Sequence, residues 1–66
     1  MDQLDIMLSK LLTTLKEKSY SPLEEVQILK TIGQKDQSMK VAIIEKAIRI
    51  ATEEPKEKAM EKILAL

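Results

Sequence analysis

Leu4, Met7, Leu8, Leu11, Leu12 and Leu15 recur at intervals of three and four residues. On a helix of about 3.6 residues per turn this spacing gathers them on one face. It predicts an amphipathic helix over about 2–18. Asp2 and Asp5 fall at the positive end of its dipole, and Lys16 and Lys18 at the negative end. Ile6 stands alone on the opposite face, and a single apolar residue there is ordinary.

The run Ser19, Tyr20, Ser21 interrupts the pattern, and Ser21, Pro22 and Glu24 announce a second helix. A serine at the cap can accept an orphan amide. Proline suits the first helical position, and a glutamate at the third can reach back to the cap. Tyr20 precedes the cap and is placed to staple onto the first turn. This helix is expected over 22–32, with Leu23, Val26, Ile28, Leu29 and Ile32 as its apolar positions. Gly33, the only glycine, follows where a left-handed cap is expected to end it.

Residues 34–38 read as a polar turn, with Asp36 or Ser38 expected to cap a third helix over 37–52. Its central stretch, residues 39–51 (MKVAIIEKAIRIA), is the most apolar in the chain. Met39, Ile43, Ala47 and Ile50 form one row; Val41, Ile44, Ile48 and Ala51 form a second beside it. A surface helix usually carries one stripe about 100° wide, and this one carries roughly twice that. Two explanations follow. The helix is central and wrapped by its own neighbours, or one row builds the core and the other meets a partner. A fourth helix is expected over 55–65, opened by Pro55, with Ala59, Met60, Ile63 and Leu64 as its apolar stripe. Four short helices joined by short turns define an all-α bundle, one domain over 1–66.

Composition narrows the picture. A chain of 66 residues buries only about 60% of its unfolded surface, so its stability margin is thin. It has no cysteine with which to staple itself, and association is a common remedy at this size. Histidine and cysteine are both missing, which removes the commonest general base, the thiolate nucleophile and the usual transition-metal ligands. The carboxylates fall on solvated helix faces or at helix starts. Glycine-rich phosphate loops and calcium-loop spacing are lacking. The expectation is a protein that is not an enzyme and takes no cofactor or metal. Eleven basic residues balance eleven acidic ones, and no segment exceeds +2. That disfavours nucleic acid as a partner, because phosphate neutralisation supplies most non-specific affinity. No run of apolar residues is long enough to span a membrane, and the first residues do not resemble a signal peptide. A cytoplasmic location is the default.

The second helix, Gly33 and the third helix nevertheless have the layout of a helix-turn-helix. In that reading Ile28, Ile32, Met39 and Ala42 pack, while Gln37, Ser38 and Lys40 point at bases and phosphates. A recognition helix needs a polar side facing the bases, whereas here Val41, Ile44 and Ile48 occupy the second face. The favoured reading is therefore a small, non-enzymatic interaction module, regulatory or adaptor in kind. It would dock an apolar helix face on a partner protein or on a second copy, as a homodimer. Val41, Ile44 and Ile48, with Ile6, are the expected contact set. A dimeric DNA-binding regulator is the alternative.

Overall fold

The computed structural model describes residues 2–66. It is an all-α bundle of four helices: α1 (Gln3–Glu17), α2 (Pro22–Gly33), α3 (Lys40–Glu53) and α4 (Lys56–Leu64). A turn of 3-10 helix, Gln37–Met39, leads into α3. The Cα radius of gyration is 10.7 Å, close to the roughly 10.8 Å that size scaling gives a folded chain of this length.

Local chemistry accounts for the starts of α1 and α2. Asp2 caps α1 by accepting the amide of Asp5 at 2.9 Å. Ser21 and Glu24 form the reciprocal pair that their spacing suggests. The Glu24 amide donates to Ser21 Oγ at 3.2 Å, and the Ser21 amide donates to Glu24 Oε1 at 2.7 Å. Together these satisfy two of the orphan donors at the start of α2. Three expectations about caps need correcting. Neither Asp36 nor Ser38 caps α3, whose first turn grows out of the 3-10 segment without a side-chain acceptor. Pro55 is the residue before α4, not its first helical position. Gly33 lies inside α2 with no positive φ, and the helix runs out through Gln34 in right-handed geometry. The left-handed residue is Ser19, with φ of 65°, just past the end of α1.

The buried side chains form one cluster to which all four helices contribute. Leu11 and Leu15 come from α1, Ile28 and Ile32 from α2, Ala59 and Ile63 from α4, with Tyr20 from the α1–α2 turn. Ile43, Ile44, Ala47 and Ala51 come from α3, which packs against every other helix and most extensively against α1. Leu11, Leu15, Ile28, Ile44 and Ile63 are sealed from solvent, and each contributes about 1.5–3 kcal/mol of burial.

α2 and α4 run parallel, fastened at both ends. Lys56 Nζ lies 3.4 Å from Glu24 Oε1 where both helices begin. Lys35 Nζ donates to the Leu66 carbonyl at 2.7 Å where both have ended. α3 is the return leg between them. Lys62 donates to Glu54 at 2.7 Å across the Pro55 turn, which ties α4 back to its own entry. These ion pairs are partly exposed, so they fix geometry more than they add stability.

Two of the apolar positions of α2 lie outside the core. Leu23 is 68% exposed and Val26 56%. Each residue turns a helix by about 100°, so once Ile28 and Ile32 face inward, Leu23 points nearly the opposite way and Val26 also falls on the outward side.

Candidate functional site

α3 decides which residues are free to meet a partner. Its two sequence rows do not divide into core and surface. The buried stripe Ile43, Ile44, Ala47 and Ala51 takes two residues from each row and runs along the seam between them. The outer members are left over. Met39 is 51% exposed, while Ile50, Val41 and Ile48 are half-buried.

Among the expected contact residues, Ile44 is therefore corrected. It is fully buried in the chain's own core and presents no surface to a partner. α3 lies among the other three helices, so the seam shared by both rows finds cover within the chain while Met39, Val41, Ile48 and Ile50 keep part of their surface. Val41 and Ile48 flank the buried stripe on one side, seven residues apart and thus on nearly the same line of the helix. Ile6 on α1 is 45% exposed.

Ile6 and Ile48, far apart in sequence, line one shallow groove between α1 and α3. Ser9, Lys10, Thr13 and Thr14 complete its walls. The Thr14 hydroxyl donates to the Lys10 carbonyl at 2.9 Å, one turn back on the same helix. That bond occupies its donor internally and lessens its demand for water. Thr52 does the same on α3, donating to the Ile48 carbonyl at 2.7 Å. Lys10 is the one charged residue lining the groove.

The residues of the DNA reading sit elsewhere. Gln37 and Ser38 are exposed in the 3-10 turn, and Lys40 is half-buried as the first residue of α3. The connection between α2 and α3 spans 34–39, longer than the three or four residues of a helix-turn-helix.

Three groups at the helix joints have shifted pKa values. Glu24 is held below the ordinary carboxylate range, chiefly by the hydrogen bond from the Ser21 amide, with Ser21 Oγ and Lys56 adding to it. Glu54 is lowered by its bond to Lys62 and by that residue's charge. The Tyr20 phenol is raised, first by burial and then by the nearby Glu24 charge. Its hydroxyl is buried without a hydrogen-bond partner. All three groups belong to capping and packing. Among the described residues no cluster of three or more Asp, Glu, His or Cys could hold a metal, and no helix is long and apolar enough to cross a membrane.

The expected contact set holds Ile6 and Ile48 together but not the threonine and serine walls that join them. A signal was available: Ser9, Thr13 and Thr14 fall on the Ile6 side of α1, away from the leucine face. Of the apolar positions of α2, Leu23 and Val26 are exposed as well. Compared with known proteins, the chain matches no family model, no curated protein and no solved structure.

Proposed function

We propose that this protein is a small, non-enzymatic interaction module of the cytoplasm, regulatory or adaptor in role. It docks the groove between α1 and α3 against an apolar helix of a partner protein, and a second copy of the chain is the first partner to test. The observation that carries this reading is the convergence of Ile6 and Ile48 on one groove. Half-buried Val41 extends the same side of α3. Covering what remains exposed of these side chains contributes a fraction of the roughly 1.5–3 kcal/mol that full burial gives each, so association draws on several contacts to offset its entropic cost. The mechanism is occlusion or scaffolding: the module covers a helix on its partner and holds it in place.

The experiment is sedimentation equilibrium across a dilution series, from about 1 to 100 μM, a range matched to micromolar association. Wild type is compared with Ile6→Asp, Ile48→Asp and Ile44→Asp. Ile6 is already in contact with water, so Ile6→Asp should keep the helical circular dichroism and dissociate the assembly. Ile44→Asp should unfold the chain, because it places an unpaired charge in a sealed core. A wild type that stays monomeric throughout would remove self-association. Duplex DNA binding at about 150 mM salt that weakens with added salt and with Lys40→Ala would replace the interaction reading with DNA recognition.

A further inference from the structure

We draw no further inference here: the strongest candidate, the outward face of α2 on which Leu23 and Val26 are exposed, is an apolar surface patch, and nothing in the structure shows what covers it.

Discussion

The backbone amide of Tyr20 donates to the carbonyl of Leu15 at 3.0 Å, and both side chains are buried in the core. This bond closes α1. The Ser19 amide donates to the Lys16 carbonyl at 3.1 Å in the adjoining turn. The pair of bonds is a Schellman ending, with the apolar contact that usually accompanies it. Ser19 stands where glycine is usual, at φ of 65°.

Replacing Ser19 with glycine should therefore stabilise the fold. A left-handed non-glycine residue carries a penalty of about 1–2 kcal/mol, and part of the gain is returned because glycine frees the unfolded chain. The net expectation is about 0.5–1 kcal/mol in urea denaturation. A destabilised Ser19→Gly would show that the serine side chain contributes something the backbone geometry does not require.

Gly33 invites the opposite substitution. It is helical and solvent-exposed, and a Cβ added there meets nothing within 4 Å. Gly33→Ala should raise stability by about 0.4–1 kcal/mol, through helix propensity and a less flexible unfolded state. Thermal unfolding by circular dichroism reads this directly; a lower melting temperature would restore the left-handed cap that the sequence suggests.

Tyr20 carries a buried hydroxyl with no partner. Leaving such a group unsatisfied costs about 1–3 kcal/mol. Tyr20→Phe removes it while keeping the ring that packs beneath the turn, so the variant should be at least as stable as wild type. A loss of more than about 1 kcal/mol, the worth of one ordinary hydrogen bond, would reveal a bonding partner for the phenol in solution.

The acid limb of stability should depend on Glu24. Its pKa is lowered from 4.5 by the folded capping box. As pH falls, the unfolded chain takes up this proton first. The contribution is complete well above 4.5 and is lost as pH drops through the lower folded value. Glu54 acts in the same sense through Lys62. Glu24→Gln keeps an acceptor for the Ser21 amide but does not ionise in this range. The variant should lose less stability than wild type on acidification from about pH 6 to 3. Identical acid profiles for the two proteins would assign the acid sensitivity to other carboxylates.

What the sequence by itself determined was local. The spacing of leucines specified the inward face of α1, because a helix places every third and fourth residue together whatever surrounds it. Ser21, Pro22 and Glu24 specified the start of α2, because a capping box closes within four residues. The apolar width of residues 39–51 marked the central helix in the same way. Tertiary structure decided the rest. Whether Ile44 met its own chain or a partner depended on the three other helices packing around α3. Whether Leu23 and Val26 turned inward depended on which side of α2 faced α3 and α4, and that was set by Ile28 and Ile32. α1 closes through a left-handed Ser19 with Leu15 and Tyr20 buried on either side of the turn, while α2 runs through Gly33 into a right-handed Gln34. Burial of Leu15 and Tyr20 outweighed a preference that acts at one position, and only the folded chain supplies the four-helix core that buries them.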